Sequence, residues 1–354
     1  MSLCNMVKVL VVGAGMTGAS AAALLRQRLP TDSSITVWDK ARGAGGRMST
    51  SRSSSDDKCT VDLGAQYITL IEQYQARRQE LYLNLVQKGI LAPMTGNVEG
   101  PNRFDEKGAK HYVTPQGIGS LVKHFLNQAE AKVEYNRQVV SVDVDGKDTV
   151  RVADISGNAE SFQAVVLTMP VPQILQLRGS IQKALDADRP VWDRLLGVTY
   201  SSRYALGLFY PAGTELPYQW CSKYISDDPC IRYVAVDNKK RNLEDKTVGP
   251  SVCVHTHVQF GLQHIEQDKE QVKKLILQHL RARLPELPEP TEVKSQKWRY
   301  SQVYRGYPGR PGCVTLQREP LIVLGGDAFS LSSFDGCLDS AEAVASAVTN
   351  YLKL

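Results

Sequence analysis

The fold is decided near the start of the chain by the stretch VKVLVVGAGMTG, residues 7–18. Its first half is an apolar, β-branched run that is typical of a buried parallel strand. The second half carries Gly13, Gly15 and Gly18 in the spacing G-x-G-x-x-G, and an Ala- and Leu-rich segment predicts a helix over residues 19–28. A strand, these glycines and a helix form the dinucleotide-binding fingerprint: the first glycine permits a tight turn, the second admits a diphosphate, and the third lets the helix pack on the strand.

A second strand is predicted over residues 35–38, and it leads to Asp39, which lies 21 positions after Gly18. An acidic side chain at this place meets the hydroxyls of the adenosine ribose. The sequence therefore predicts a dinucleotide site, and a glycine turn without a ligand is the alternative.

The chain has 354 residues and a mass of 39.1 kDa, which at about 150 residues per domain indicates two domains. Hydrophobic residues make up 42% and charged residues 22%, so the composition supports packed cores and excludes wholesale disorder. The net charge of +5 is too small to indicate nucleic acid but suits an anionic small molecule. The densest basic run, residues 239–241, is predicted to be a solvated loop, with a phosphate contact as the alternative.

The cysteines are far apart, odd in number and without a C-x-x-C pair: Cys4, Cys59, Cys221, Cys230, Cys253, Cys313 and Cys337. This pattern argues against a disulfide framework and a zinc site, and it favours a reducing, cytoplasmic compartment. No apolar run is long enough to span a bilayer. Residues 9–25 imitate a signal peptide, but cleavage there would remove the glycine motif.

A second glycine-rich loop follows the second strand and indicates a flavin. Residues 42–50, RGAGGRMST, resemble the R-x-G-G-R-x-x-[ST] motif of the flavin amine-oxidase and hydroxylase superfamily. In that motif the last arginine, here Arg47, lies along the FAD diphosphate, and a guanidinium suits a diphosphate better than a point ammonium does. A mobile glycine loop is the alternative.

The end of the chain carries a further motif of FAD proteins. A buried strand is predicted over residues 321–324, before Gly326 and Asp327, and an Ala-rich helix over residues 334–352. This arrangement resembles the terminal G-D motif, in which the aspartate accepts a ribityl hydroxyl and the positive end of the last helix faces the flavin. The covalent-attachment motif Gly-Gly-Cys-Tyr does not occur, and Gly312-Cys313 does not match it, so the predicted cofactor is noncovalent FAD.

With these motifs in place, the chain resembles the renalase family of flavoproteins over nearly its whole length. The blocks that carry the resemblance are VWDK (37–40), DLGAQYIT (62–69), VLTMPVP (166–172), YSSRYALGLFY (200–210), DNKKR (237–241), QKWR (296–299) and FDGC (334–337). The resemblance is weaker over residues 52–58 and 304–313.

The resemblance implies an FAD-dependent oxidase of the 2-dihydro and 6-dihydro isomers of β-NADH and β-NADPH. Hydride passes to flavin N5 to give β-NAD(P)⁺, and O2 then reoxidises the flavin and yields hydrogen peroxide. Motifs and resemblance together predict these cofactor-binding residues: Gly13, Gly15, Thr17, Gly18, Asp39, Lys40, Arg47, Gln66, Tyr67, Gly326 and Asp327.

No nucleophile–base–orienter set is evident in the middle of the chain, which suits a hydride donor that needs orientation over the flavin rather than a strong base. The sequence therefore identifies no certain catalytic residue and no metal site. The candidate substrate-binding residues are Tyr204, Trp298 and Phe329 as walls for the nicotinamide, His255 as a hydrogen-bond donor, and Arg203 and Asn238 as holders of the carboxamide or the phosphates. For the three aromatic residues and for His255, which alternates with His257 on a predicted strand, an ordinary core role is the alternative.

The predicted fold class is α/β: a Rossmann-type FAD-binding domain, p-hydroxybenzoate hydroxylase-like and amine-oxidase-like, with a substrate domain of mixed β-sheet plus helices. The FAD-binding domain is predicted to comprise residues 1–71, 129–172 and 301–354, and the substrate-binding domain residues 72–128 and 173–300. The predicted partners are a small-molecule dinucleotide and O2, without nucleic acid or membrane, in a monomer or weak homodimer. Two other functions stay open: an amine oxidase acting on catecholamines, and a secreted signalling protein with a vestigial flavin.

Overall fold

The computed structural model of the protein describes residues 7–101, 108–243 and 245–353. The strands in these ranges are β1 (Lys8–Val12), β2 (Ser34–Trp38), β3 (Thr50–Arg52), β4 (Thr60–Asp62), β5 (Ile68–Leu70), β6 (Ala92–Pro93), β7 (Val98–Glu99), β8 (Lys110–Val113), β9 (Lys132–Glu134), β10 (Val139–Asp145), β11 (Thr149–Asp154), β12 (Ala159–Phe162), β13 (Ala164–Leu167), β14 (Thr199–Tyr200), β15 (Arg203–Phe209), β16 (Ser222–Tyr224), β17 (Ile231–Val236), β18 (Ser251–Thr256), β19 (Glu292–Trp298), β20 (Val303–Arg305), β21 (Cys313–Gln317) and β22 (Leu321–Gly325). The helices are α1 (Met16–Arg28), α2 (Glu72–Gln87), α3 (Gly119–Ala129), α4 (Val171–Ile174), α5 (Ser180–Ala187), α6 (Arg189–Leu196), α7 (Asp237–Lys240), α8 (Val258–His264), α9 (Lys269–Arg283) and α10 (Phe334–Leu352).

The chain forms two compact units. The first consists of Met1–Gly46, Val122–Thr199 and Val303–Leu354, and the second of Arg47–Leu121 and Tyr200–Gln302. The predicted α/β class, with a Rossmann-type first part and a mixed-sheet second part, is confirmed.

The first unit is built on a sheet whose strand order, within the described residues, is β21-β22-β13-β1-β2-β9. All neighbours run parallel except the edge strand β21. Both faces of a parallel sheet are buried, which explains the continuous apolar run: Val9, Leu10 and Val11 have no exposed surface. The predicted strand–glycine–helix order is confirmed in β1 and α1, as are the terminal strand β22 and helix α10. The carboxyl ends of β1, β2 and β22 therefore bring the three predicted nucleotide motifs to one edge of this sheet.

The second unit contains a mainly antiparallel sheet whose described strands follow the order β19-β15-β18-β17-β16-β7. One face packs against α9 through Val272, Ile276 and Leu280, which are all buried. The other face packs against Val61 and Leu63 of the β3–β4 hairpin and the turn that follows it. The alternating side chains of each strand therefore enter two different apolar clusters.

The units divide the chain at positions other than the predicted domain boundaries. Residues 47–71 group with the second unit because their hairpin pairs closely with its sheet: the Ser251 hydroxyl donates to the Thr60 carbonyl at 2.6 Å. Residues 173–199 group with the first unit because α5 joins β10, where the Ser180 N–H donates to the Asp143 carboxylate at 2.9 Å. The functions assigned to the two domains remain predictions.

The cysteines in the described ranges form no disulfide with one another, whereas Cys4 lies outside those ranges. No helix in the described part of the chain is long and apolar enough to cross a membrane.

Candidate functional site

The glycine loop after β1 is shaped for an anionic ligand. Gly13 has a φ of +113°, which favours glycine, and a Cβ on Gly18 would strike the Gly13 carbonyl oxygen. A Cβ on Gly15, in contrast, would meet no atom within 4 Å, and α1 begins at Met16 without a side-chain cap. The packing of the chain thus requires the first and third glycines, while the second leaves bare backbone beside uncapped helix amides. These features fit the FAD diphosphate.

Asp39 lies at the end of β2 and joins two loops. Its Oδ2 accepts the Ala14 N–H at 2.7 Å and its Oδ1 accepts the Ala41 N–H at 2.7 Å. Each carboxylate oxygen retains a further lone pair, so the position fits the predicted ribose contact. Of the other predicted cofactor residues here, Thr17 is buried in α1 and Lys40 is exposed.

The terminal motif follows β22. Gly326 has a φ of +126°, and the buried Asp327 carboxylate accepts the Ser332 hydroxyl at 2.6 Å. The Ser333 side chain accepts the Gly336 N–H at 3.0 Å and caps α10. This hydrogen bonding fixes the turn before the helix and fits the predicted ribityl contact of Asp327.

Thr168 connects the two glycine turns, and sequence reasoning gave it no role. Its hydroxyl donates to the Val12 carbonyl at 2.9 Å, and a Cβ on Gly13 would approach its Oγ1 to 2.5 Å. A Cβ on Gly326 would lie 3.4 Å from the Thr168 carbonyl oxygen. The sequence signal for Thr168 is a polar residue directly after the buried strand β13. This strand lies between β1 and β22, which lead to the two glycine turns.

In the second unit, Arg47 and the DLGAQY block are bound to each other. The Arg47 carbonyl accepts the Ala65 N–H at 2.9 Å, and a Cβ on Gly64 would strike the same carbonyl oxygen. The Arg47 side chain reaches the Ser301 carbonyl only at 3.5 Å. Two motifs that are separate in sequence thus form one local structure.

A buried charge cluster includes Asp62, the first residue of the DLGAQY block. Its four members are each at most 3% exposed: Asp62, Asp237, Lys240 and Arg241. Lys240 Nζ lies 2.6 Å from Asp237 and 3.9 Å from Asp62, and Arg241 contacts Asp237 and lies 3.1 Å from Asp62. Both alternatives for the basic run, a solvated loop or a phosphate contact, are therefore wrong for Lys240 and Arg241. Burial, with the nearby Asp237 charge, raises the pKa of Asp62.

Gln66 joins the charge cluster to the turn above it. Its Oε1 accepts from Lys240 Nζ at 3.0 Å, and its Nε2 donates to the carbonyls of Asp62 at 2.5 Å and Gly64 at 3.0 Å. The same nitrogen lies 3.4 Å from His255 Nε2. Gln66, predicted as an FAD contact, and His255, predicted as a substrate contact, are thus neighbours.

The Leu63 carbonyl holds two of the predicted substrate residues. It accepts from Trp298 Nε1 at 2.8 Å and from His255 Nε2 at 3.1 Å. Burial, reinforced by the Arg203 charge, lowers the pKa of His255 to about 3, so its ring is neutral at physiological pH. Arg203 pairs with Trp298 across β15 and β19, and its Nη1 donates to the Thr256 carbonyl at 3.0 Å.

Tyr67 belongs to an aromatic group that sequence reasoning identified only in part. Its hydroxyl lies 2.5 Å from the Tyr224 hydroxyl, and the His111 ring stands edge-on to it at 5.3 Å. The Tyr224 ring in turn packs against Tyr233 at 4.8 Å. Only the spatial neighbourhood of β5, β8 and β16 brings these rings together, so no short motif marks Tyr224.

Two of the predicted nicotinamide walls lie in apolar cores. Tyr204 has no exposed surface and belongs to the cluster on the α9 side of the sheet, and its hydroxyl donates to the His264 carbonyl at 2.9 Å. Phe329 also has no exposed surface and packs on Tyr307 in the first unit. For both residues the structure supports the core role that the sequence left open.

The predicted alternation of His255 with His257 is wrong, because β18 ends at Thr256 and His257 precedes α8. Asn238 lies in α7, and its buried Oδ1 has no hydrogen-bond partner among the described residues. Within the same residues, no group of three or more His, Cys, Asp or Glu side chains is arranged to hold a metal ion.

Comparisons with known proteins agree with this architecture. The family described as NAD(P)-binding Rossmann-like domain matches residues 11–82, and the family described as flavin containing amine oxidoreductase matches residues 91–349. Mouse (Mus musculus) renalase is 42% identical over 348 residues, which cover 98% of this chain and 100% of that protein.

Two solved structures share the fold. One, from Exiguobacterium sp. 255-15 and assigned as a protoporphyrinogen oxidase, has a TM-score of 0.72 and 14% identity, over 98% of this chain and 99% of that chain. The other, putrescine oxidase bound to putrescine, has a TM-score of 0.68 and 12% identity, over the same 98% and 99%. At such identities these structures show the fold alone.

The Rossmann-type sheet, the glycine turns and these matches define an FAD-dependent oxidoreductase with a small-molecule substrate. The chain belongs to the flavin-containing amine oxidoreductase family and, through its mouse relative, to the renalase family.

Proposed function

We propose that this protein is an oxidase of misreduced nicotinamide dinucleotides. It converts the 2-dihydro and 6-dihydro isomers of β-NADH and β-NADPH to β-NAD(P)⁺, while O2 is reduced to hydrogen peroxide. The resemblance to the renalase family supports this substrate class. The structural observation that carries the proposal is the Leu63 carbonyl, which orients two flat, uncharged ring systems, Trp298 and His255, beside Gln66.

The residues proposed to hold the cofactor are Gly13, Gly15, Thr17, Gly18, Asp39, Lys40, Arg47, Gln66, Tyr67, Gly326 and Asp327. Bound noncovalently, FAD supplies a hydride acceptor and returns two electrons to O2. The glycine loop and its uncapped helix amides neutralise the diphosphate, and the Asp39 and Asp327 carboxylates accept hydroxyls of the sugar and the ribityl chain.

The remaining residues orient the substrate. A dihydropyridine is already reduced, so its oxidation requires a fixed distance and angle to the hydride acceptor rather than a base. Trp298 and His255 present planar surfaces to the pyridine ring, and the neutral state of His255 places no positive charge beside the pyridinium that forms. Arg203 and the unsatisfied Oδ1 of Asn238 are the proposed partners of the phosphates and the carboxamide.

Amine oxidation is the second candidate. The family match to flavin-containing amine oxidoreductases favours it, as does the group of Tyr67, Tyr224 and Tyr233, because aromatic side chains surround amines well.

Anaerobic mixing distinguishes the two candidates. The purified yellow protein is mixed with the 2-dihydro or 6-dihydro isomers, or with dopamine, and the visible flavin absorbance is followed. We expect rapid bleaching by the isomers and none by the amine. Rapid bleaching by dopamine, with the isomers inert, would contradict the proposal and support the amine oxidase.

A further inference from the structure

We propose that Lys240 is a positioning residue of the flavin site: paired with Asp237 and Asp62, its buried side chain fixes the amide of Gln66, and through it the 62–67 turn that receives the flavin. The inference rests on the proposed function in one respect, since it takes Gln66 and Tyr67 as flavin contacts.

Lys240 lies inside the buried charge cluster. Lys240 has no exposed surface, and removing an ammonium from water is strongly unfavourable unless charged and polar partners replace the water. Asp237 at 2.6 Å and Asp62 at 3.9 Å supply those partners, and Arg241 balances the second carboxylate. Two acids and two bases make the cluster neutral as a whole. Lys240 is therefore held in one place.

Lys240 contacts the side-chain amide of Gln66 directly. An ammonium has donors only, so the amide atom at 3.0 Å from Nζ must be the oxygen. The amide NH2 then donates to the carbonyls of Asp62 and Gly64. These two hydrogen bonds stabilise the 62–67 turn. A flipped amide would place its NH2 against the ammonium and its oxygen against two carbonyl oxygens. Lys240 thus determines which way the Gln66 amide faces.

The 62–67 turn is hydrogen-bonded to Trp298 and His255, which are proposed to face the substrate. Leu63, between the two carbonyls that Gln66 binds, is the residue whose own carbonyl holds Trp298 and His255. After Leu63 in the chain, the Ala65 N–H donates to the Arg47 carbonyl, and Gly64 lies so close to this carbonyl that a Cβ would strike its oxygen. A turn that loosens would therefore shift the flavin contacts and the substrate-facing rings together.

The test is a charge-balanced double variant, Lys240→Met/Asp237→Asn, which removes one charge of each sign. We expect FAD to bind at least tenfold more weakly and the visible circular dichroism of the bound flavin to change, while the far-ultraviolet spectrum stays that of the parent protein. The matched control is Lys223→Met, which removes an ammonium that pairs with Glu99 at 3.0 Å on a side chain 37% exposed, and it should leave both signals unchanged. Parent-like FAD affinity and visible dichroism in the double variant would overturn the proposal.

A second variant decides the matter if the double variant does not fold. Gln66→Leu leaves the four charges in place and removes only the amide that Lys240 orients. We expect the same weakening of FAD binding and the same spectral change. Parent-like values would overturn the proposal. Neither readout involves the nicotinamide isomers, so failure of the parent protein to oxidise those isomers would refute the proposed function and leave the role of Lys240 standing.

Discussion

The Asp39 carboxylate accepts the backbone N–H of Ala14 at 2.7 Å, and this bond ties the end of β2 to the glycine loop after β1. The aspartate therefore shapes the diphosphate loop in addition to its proposed contact with the ribose. We predict that Asp39→Ala weakens FAD binding by about 1.5–3 kcal/mol, the range for hydrogen bonds to a charged group, which is about tenfold to 150-fold in the dissociation constant. The increase in flavin fluorescence as FAD is released on dilution measures the dissociation constant. The exposed Asp148→Ala is the control, and equal affinity in both variants would refute the role of Asp39.

Arg47 is the proposed partner of the FAD diphosphate. Arg47→Ala should weaken FAD retention by about 1–3 kcal/mol, because a charge-assisted hydrogen bond is lost. The matched control is Arg42→Ala, an exposed arginine in the same loop, for which we expect parent-like retention. Gel filtration followed by the ratio of flavin to protein absorbance gives the occupancy. Unchanged occupancy in Arg47→Ala would remove this residue from the site.

The partly buried His255 makes stability depend on pH. Burial lowers its pKa from 6.5 to about 3, so the unfolded chain binds a proton that the folded protein does not. Stability is therefore full above the unfolded pKa and is lost as pH falls below it, by about 2 kcal/mol between pH 7 and pH 5. Urea unfolding at fixed FAD concentration measures this difference.

Between pH 7 and pH 5, the free energy of unfolding of the His255→Gln variant should fall by about 2 kcal/mol less than that of the parent protein. His264→Gln, at a residue whose Nδ1 faces Gln267 in an exposed hydrogen bond, is the control and should keep the parent dependence. If His255→Gln keeps it as well, His255 is not the group responsible.

Trp298 and Tyr204 are both aromatic residues of the second unit, but they lie in different clusters. Trp298→Phe keeps a ring and loses the donor to Leu63, so we predict a slower anaerobic reduction of the flavin by the isomers, about tenfold, with FAD affinity retained. Tyr204→Phe removes only the bond to His264 on the α9 side and should cost about 1 kcal/mol of stability without slowing the reduction. Slowing by the Tyr204 variant instead would reverse the assignment of the two faces.

The first unit was predictable because its signals are local. The strand over residues 8–12, the helix over residues 16–28 and the terminal helix over residues 334–352 all follow from periodicity and from glycines whose conformation or packing excludes a side chain. Asp39 was predictable for the same reason, since its distance along the chain from the glycines is set by one helix and one strand.

The second unit was less predictable because its determinants are distant in sequence. The sequence predicts solvated charges at Lys240 and Arg241. Their burial depends on Asp62, which lies more than 170 positions earlier in the chain but beside them in the fold. Strand periodicity puts Tyr204 and its neighbours on opposite faces of the sheet, but it does not indicate which face packs against the β3–β4 hairpin. The role of the Leu63 carbonyl could not be predicted, because a backbone carbonyl does not depend on the residue type. Only the structure shows that Trp298 and His255 both donate to it.

The stoichiometry of a complete turnover shows whether this protein oxidises misreduced nicotinamide dinucleotides. The purified holoenzyme in air-saturated buffer is given the 6-dihydro isomer of β-NADH, and β-NAD⁺, consumed O2 and hydrogen peroxide are measured in the same sample. We predict equal molar amounts of all three. O2 consumption without β-NAD⁺, or an isomer that remains unoxidised by flavin-loaded protein, would contradict it.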